Sequence, residues 1–260
     1  MFHIRYTTYR RLTRIALKYW SNFLKEFSGD SQIRTVGMAR LIKLGNAAGK
    51  YDNHHAVSAA VESLQAGHVI AVPTDTIYGV AALAQSTASV KQLYNIKGRN
   101  GNNPIAICVG DIEDLQKWSE VPVSTSLLSD LLPGPVTLVF KRRPELNPEL
   151  NPFTSLVGIR IPDYPFIREV ARAVGSPLAL TSANISATRS TLAVQEFEEL
   201  WPKLDLILDG GQLGDTVEAR LGSTVVNLSI PGQFTIIRPG SAHSKTVDIL
   251  SKKHGLLETR

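Results

Sequence analysis

The chain has 260 residues, of which 43% are hydrophobic and 20% charged, with a formal net charge of +5 and a pI near 9.3. That length suits one large α/β domain with an appendage, and the balance is ordinary for a soluble globular protein with no long apolar run to span a membrane. The single cysteine, Cys108, excludes an intrachain disulfide and a cysteine-built zinc site, and points to a reducing compartment.

The charge is unevenly spread. Residues 1–50 carry ten Lys and Arg against Glu26 and Asp30, so the basic excess belongs to this segment and the remaining chain is slightly acidic. A basic chain invites a nucleic-acid reading; this distribution weakens it. Leu12, Ile15, Ala16, Tyr19 and Phe23 fall on one side of a helical projection, with Arg10, Arg11, Arg14 and Lys18 on the other. An Arg-rich, acid-poor amphipathic start predicts a mitochondrial targeting segment, the alternative being a basic surface helix or disordered tail. Initiation at Met38 would yield a cytosolic form, so the expected locations are mitochondrion and cytoplasm.

From residue 51 the pattern alternates. A helix over residues 56–64 is closed by Gly67, and a strand at 68–72 is ended by Pro73. A helix over 87–96 leads to a buried strand at 105–109, where Cys108 reads as core. Short helices near 111–118 and 124–131 precede the Pro133-Gly134-Pro135 turn and a strand at 136–140. Segment 141–155, with three prolines, is expected to be a mobile loop. Further on, strands at 156–161, 177–180, 206–209, 224–228 and 234–237 interleave with helices at 164–174 and 193–200. This predicts an α/β fold: one twisted, mixed parallel and antiparallel sheet with helices packed on it. The expected division is a basic N-terminal segment at 1–50, a main α/β domain at 51–250 and a C-terminal tail at 251–260.

Several familiar motifs fail. Gly45-Asn46-Ala47-Ala48-Gly49-Lys50 is one residue short of a phosphate loop and has no predicted strand before it. No nucleophile elbow surrounds Ser182, and the six histidines lack metal-ligand spacing.

Other segments point to a polar ligand. Pro73-Thr74-Asp75-Thr76 follows a strand with short hydroxyls, although alone it is a common turn. Lys97-Gly98-Arg99-Asn100-Gly101-Asn102-Asn103-Pro104 sets two cations at a helix end, suited to anionic oxygens or to a solvated helix cap. Thr181-Ser182-Ala183-Asn184 places hydroxyls and an amide after an apolar strand, where each needs a partner if buried. Gly222-Ser223-Thr224 and Arg238-Pro239-Gly240 flank two late strands. Ligands of open α/β sheets bind outside strand ends, which predicts a site there.

In this order, PTDTIYGV, KGRNGNNP, PGPVTLVF, VGIRIPD, LALTSANIS, LGSTVV and IIRPGSA resemble the YrdC/Sua5 family of threonylcarbamoyl-AMP synthases, over roughly residues 54–245. The likeness is to its single-domain members, the animal ones above all, without the extra C-terminal domain of Sua5 proteins. Departures are Cys108, where some members carry a polar residue, and Asn100 in place of a common proline. The resemblance implies condensation of L-threonine, bicarbonate and ATP into L-threonylcarbamoyladenylate and pyrophosphate, for modification of adenosine 37 in tRNA. It implies catalytic roles for Lys97 and Arg99, and ATP contacts from Arg99, Asn103, Thr137, Asn184 and Arg238. Threonine contacts would come from Thr76, Arg160, Ser182 and Ser223. Mg2+ would arrive with ATP, without a protein metal site. The product would pass to a separate tRNA threonylcarbamoyltransferase, a KEOPS-type complex in the cytosol and another enzyme in mitochondria, with weak or no direct tRNA binding. The alternative is an RNA-binding module of the same fold without catalysis.

Overall fold

The computed structural model describes residues 33–36, 39–45, 53–98, 103–185 and 188–259; the predicted N-terminal helix, Met38 and Arg99 lie outside them. The described chain runs through β1 (Ile33–Val36), β2 (Ala39–Lys43), α1 (His54–Gln65), β3 (Ile70–Val72), β4 (Gly79–Leu83), α2 (Thr87–Lys97) and β5 (Ala106–Cys108). It continues with α3 (Leu115–Trp118), β6 (Ser119–Glu120), α4 (Thr125–Leu131), β7 (Val136–Arg142), β8 (Leu156–Arg160) and α5 (Pro165–Val174). Last come β9 (Leu178–Ser182), β10 (Leu206–Asp209), β11 (Thr224–Asn227), β12 (Gln233–Arg238), α6 (His243–Asp248) and β13 (Leu257–Glu258). Among the described residues the strands join in one sheet, ordered β1-β2-β10-β3-β4-β9-β5-β8-β7-β11-β12-β13, with β6 on β7. Parallel and antiparallel pairs are mixed, as the alternating pattern predicts.

Alternation along each strand sends its residues to two different cores. On one face Val80, Ala82, Ile107, Leu138, Phe140 and Ile159 pack with Val90 and Leu93 of α2 and Leu127, Leu128 and Leu131 of α4. On the other, Ile70, Val72, Ala81, Leu178 and Leu208 pack under α1 and α5. Ala56, Ala59 and Ala60 on α1 are small and buried, which lets that helix sit close to Phe166, Ile167 and Val170 of α5. Each fully buried Leu, Ile or Val contributes about 1.5–3 kcal/mol. These two helices cover only part of their face. Ala106, Gly158, Val139 and Val225, which share it, line an open cleft.

The structure departs from the sequence expectations in five places. Residues 33–43, counted with the basic N-terminal segment, supply β1 and β2, and β2 runs parallel to β10. Their charges concealed a strand: Ala39 and Ile42 are buried while Arg40 turns outward to Asp205 at 3.0 Å. β4 went unread because Gly79, Ala81 and Ala82 carry little strand propensity, yet it is a central strand paired on both sides. Segment 141–155 is anchored, since the Arg142 guanidinium donates to the carbonyls of Leu150 (2.5 Å), Asn147 (2.6 Å) and Leu146 (3.1 Å). The helix expected at 193–200 is a 3-10 stretch, Val194–Lys203, broken at Phe197. The expected tail packs on the domain: β13 pairs with β12, and Asp130 accepts from Lys253 and meets His254 Nε2, both at 2.6 Å.

Candidate active site

The cleft has a volume of about 610 Å³ and lies over the face of the sheet. This corrects the expectation of a site outside the strand ends. Its floor is the uncovered part of β9, β5, β8, β7 and β11, through Leu180, Ala106, Gly158, Val139 and Val225. A side chain at position 158 would fill it: a Cβ there would lie 3.0 Å from Thr137 Cγ2 and 3.5 Å from Ala106 Cβ. The polar groups rise around this apolar floor in three clusters.

The first is built on Lys97, the last residue of α2. Gly98 follows with φ +60°, a left-handed helix end that glycine adopts without a Cβ penalty. Lys97 is fully buried, and its Nζ donates to the Ser182 carbonyl at 2.6 Å, Ser182 Oγ at 3.3 Å, Asn184 Oδ1 at 3.1 Å and the Asn184 carbonyl. Asn184 Nδ2 donates onward to the Thr188 carbonyl at 2.6 Å. The structure thus joins Lys97, Ser182 and Asn184, residues 85 to 87 apart in sequence. Ser182 lines the cleft, whereas Lys97 and Asn184 stand behind that wall. Arg99 lies outside the described residues.

The second cluster is centred on Arg160, at the end of β8. Its Nη2 donates to Asp75 Oδ1 at 2.5 Å, Thr76 Oγ1 at 2.6 Å and Thr74 Oγ1 at 3.3 Å. Its Nε is buried with no acceptor among the described residues. Asp75 also accepts the Asp163 backbone N–H at 3.0 Å. The turn after β3 is capped by Thr74, whose Oγ1 accepts the N–H groups of Thr76 and Ile77. By register Arg160 lies level with Cys108 and Leu178, so Ser182 stands four residues further along β9. That is roughly 13 Å along the strand between the two backbone positions, while the Arg160 side chain reaches the turn before β4, whose Gly79 pairs with Ser182.

The third cluster joins the starts of β7 and β11 to the end of β12. Thr137 Oγ1 and Ser223 Oγ lie 2.8 Å apart, and Arg238 Nη2 donates to the Ser223 carbonyl at 2.8 Å. Thr137 is level with Arg160 across the β7–β8 ladder, which sets this cluster beside the second. Of the residues expected to hold threonine, Thr76 and Arg160 touch, Ser223 is near them, and Ser182 pairs with Gly79, three residues after Thr76. Asn103 lines the cleft through the segment leading into β5.

Sequence reading missed the apolar floor. Leu180, Ala106, Val139 and Val225 look like ordinary core positions, and only the limited reach of α1 and α5 exposes them. Cys108 behaves as expected of core: it is fully buried, and desolvation pushes its thiol up to about 12. Among the described residues no three His, Cys, Asp or Glu side chains gather to hold a metal, and no helix is long and apolar enough to cross a membrane.

Comparison with known proteins agrees with this architecture. The Sua5/YciO/YrdC family model, described as "Telomere recombination", matches residues 62–240. The chain is 54% identical over 207 residues to the threonylcarbamoyl-AMP synthase of Mus musculus, covering 79% of this chain and 74% of that protein. It is 55% identical over 204 residues to the Homo sapiens protein of the same name, covering 78% and 73%. The fold superposes on P. abyssi Sua5 complexed with L-threonine with a TM-score of 0.73 at 25% identity, over 84% of this chain. The match spans 62% of that solved chain, less than two thirds of its length. With the family model matched from the end of α1 through β12, the chain belongs to the Sua5/YciO/YrdC family.

Proposed function

We propose that the chain is a threonylcarbamoyl-AMP synthase, condensing L-threonine, bicarbonate and ATP into L-threonylcarbamoyladenylate and pyrophosphate. The observation that carries this reading is the cleft: one apolar floor bounded by the Lys97, Arg160 and Arg238 clusters. Its volume of about 610 Å³ falls in the ordinary range of ligand pockets. Relatives more than half identical carry the name of this enzyme, and a solved Sua5 holds L-threonine.

The chemistry needs charge placement. The amine of threonine attacks the bicarbonate carbon, water leaves, and the nitrogen becomes a carbamate. A carbamate oxygen then attacks the α-phosphorus, and the bond to the bridging oxygen breaks with its electron pair going to pyrophosphate. Anions approach anions throughout, so fixed cations and hydrogen-bond donors lower the barrier. Arg160, Thr76 and Ser223 form the threonine end, with the Arg160 guanidinium as its cation. Ser182 presents its hydroxyl to the carbamate, with the Lys97 ammonium directly behind it. Asn103, Thr137 and Arg238 serve the nucleotide, and Arg99 its phosphates; Asn184, expected at the nucleotide, holds Lys97 behind the wall instead. Asp75 is engaged by Arg160 and the Asp163 amide, so it is no free base. Mg2+ would be held by the phosphate oxygens it arrives with and by water, where it neutralises phosphate charge; this fits a lining of hydroxyls, amides and guanidinium groups.

The product then goes to a separate tRNA threonylcarbamoyltransferase, a KEOPS-type complex in the cytosol and a distinct enzyme in mitochondria. The basic segment before residue 33 directs the mitochondrial form, and initiation at Met38 supplies the cytosolic one. Mutation of Met38 should deplete only the cytosolic fraction; equal loss from both compartments would remove the second-start idea. The activity itself is tested by pyrophosphate release from ATP, which must require threonine and bicarbonate together. Release independent of either substrate would contradict the assignment.

A further inference from the structure

The segment between β7 and β8 contains a buried residue with an unusual backbone. Asn151 has φ +55°, a left-handed conformation that asparagine tolerates better than most residues, and it is 1% exposed. Its side-chain amide binds both backbone groups of Ile105: Oδ1 accepts the Ile105 N–H at 2.8 Å and Nδ2 donates to the Ile105 carbonyl at 2.9 Å. This imitates a strand partner just before β5. Tyr94 of α2 closes the arrangement, since its hydroxyl donates to Asn151 Oδ1 at 2.9 Å and accepts the Asn151 N–H at 3.2 Å. The Asn151 carbonyl accepts from Thr154, which itself lines the cleft.

One side chain therefore ties together α2, which carries Lys97 three residues after Tyr94, and the Asn103–Ala106 wall of the cleft. The segment bearing it is held on its other side by Arg142, through the carbonyls of Leu146, Asn147 and Leu150. Asn147 secures the start of α2 as well, accepting from Thr87 Oγ1 at 3.2 Å and donating to the Ala84 carbonyl at 3.0 Å. A purely structural segment needs no amide matched to the backbone of a cleft residue; a wall held in register does.

We propose that Asn151 is a positioning residue for nucleotide binding, fixing the Asn103–Ala106 wall of the cleft relative to α2. This rests on the reading that this wall contacts ATP. The threonine end, at Arg160 and Thr76, makes no hydrogen bond to Asn151, so the effect is selective between substrates.

The test compares wild type with Asn151→Gly, which keeps the left-handed backbone without the amide, and with Tyr94→Phe, which removes only the hydroxyl. Asn151→Gly should raise the KM for ATP about tenfold while the KM for threonine stays within about twofold, and Tyr94→Phe should act in the same direction by a few-fold. Amide hydrogen exchange at Ile105, read on the free protein, should accelerate in Asn151→Gly. If both KM values rise in parallel, or Ile105 exchange is unchanged, the proposal is overturned. Should Asn151→Gly fail to fold, Tyr94→Phe decides by the same ATP-to-threonine split. A wild type that releases no pyrophosphate refutes the enzymatic reading instead, and the exchange measurement still judges the clamp.

Discussion

The Lys97 ammonium ends 2.6 Å from the Ser182 carbonyl, joining the end of α2 to the end of β9 across 85 residues of sequence. A buried ammonium is costly unless it is hydrogen-bonded, and here four oxygens of Ser182 and Asn184 surround it. The same contact shapes the turn that carries Ser182 into the cleft and puts a positive charge behind it.

Lys97→Met keeps the bulk and removes the charge and its donors. Leaving those carbonyls unsatisfied should cost about 1–3 kcal/mol in urea unfolding. Loss of the charge should lower kcat/KM by about 100-fold or more. A variant with full activity would show that the charge plays no part in the reaction.

Arg160 and Asp75 form a nearly dry ion pair, with side chains 8% and 9% exposed. Removing one partner of a buried pair costs about 3–5 kcal/mol, so Asp75→Ala should unfold at distinctly lower urea. Asp75→Asn, which keeps the shape, should be milder in stability yet raise the KM for threonine, because Arg160 loses its orientation. Unchanged threonine kinetics in Asp75→Asn would separate this pair from the threonine end.

Gly158 keeps the cleft floor open. Gly158→Val places methyl groups where the floor meets Thr137 and Ala106, within 3.0–3.5 Å of a Cβ. The expected result is a fall in kcat/KM of about tenfold or more, with a melting temperature close to that of wild type. Full activity in this variant would mean that ligands do not lie on the floor.

Cys108 tests the burial directly. Its thiol is raised from 9.0 to about 12 by desolvation, so the folded chain holds that proton more tightly than the unfolded chain. Its contribution to stability is complete below pH 9 and declines as pH rises from 9 toward 12. The stability difference between wild type and Cys108→Ala should be flat below that window and change within it. Iodoacetamide at pH 8 should label the native protein only as fast as it opens, and the urea-unfolded protein at once.

Much of this was legible in the chain, for identifiable reasons. Helices α1, α2 and α5 announce themselves by apolar spacing, and Gly98 and Gly175 mark two of their ends with left-handed backbone. The polar segments around Thr76, Ser182 and Ser223 stand out because hydroxyls and amides after apolar strands need partners. Long-range pairing was not legible. Nothing local links Asn151 to Ile105, or tells that Arg142 would pin down a proline-rich segment. β4 and β2 hid behind small or basic residues whose local preferences are overridden by two flanking strands. The position of the cleft depends on how far α1 and α5 reach over the sheet, a property of the packed molecule.

The most direct test supplies ¹³C-bicarbonate, L-threonine and ATP to the purified full-length chain and weighs the adenylate formed. The expected product is a threonylcarbamoyladenylate heavier by one mass unit, carrying the bicarbonate carbon and appearing with equimolar pyrophosphate. Arg160→Ala and Lys97→Met should form far less of it. An adenylate lacking the label, or none at all with all three substrates present, would contradict the assignment of this cleft.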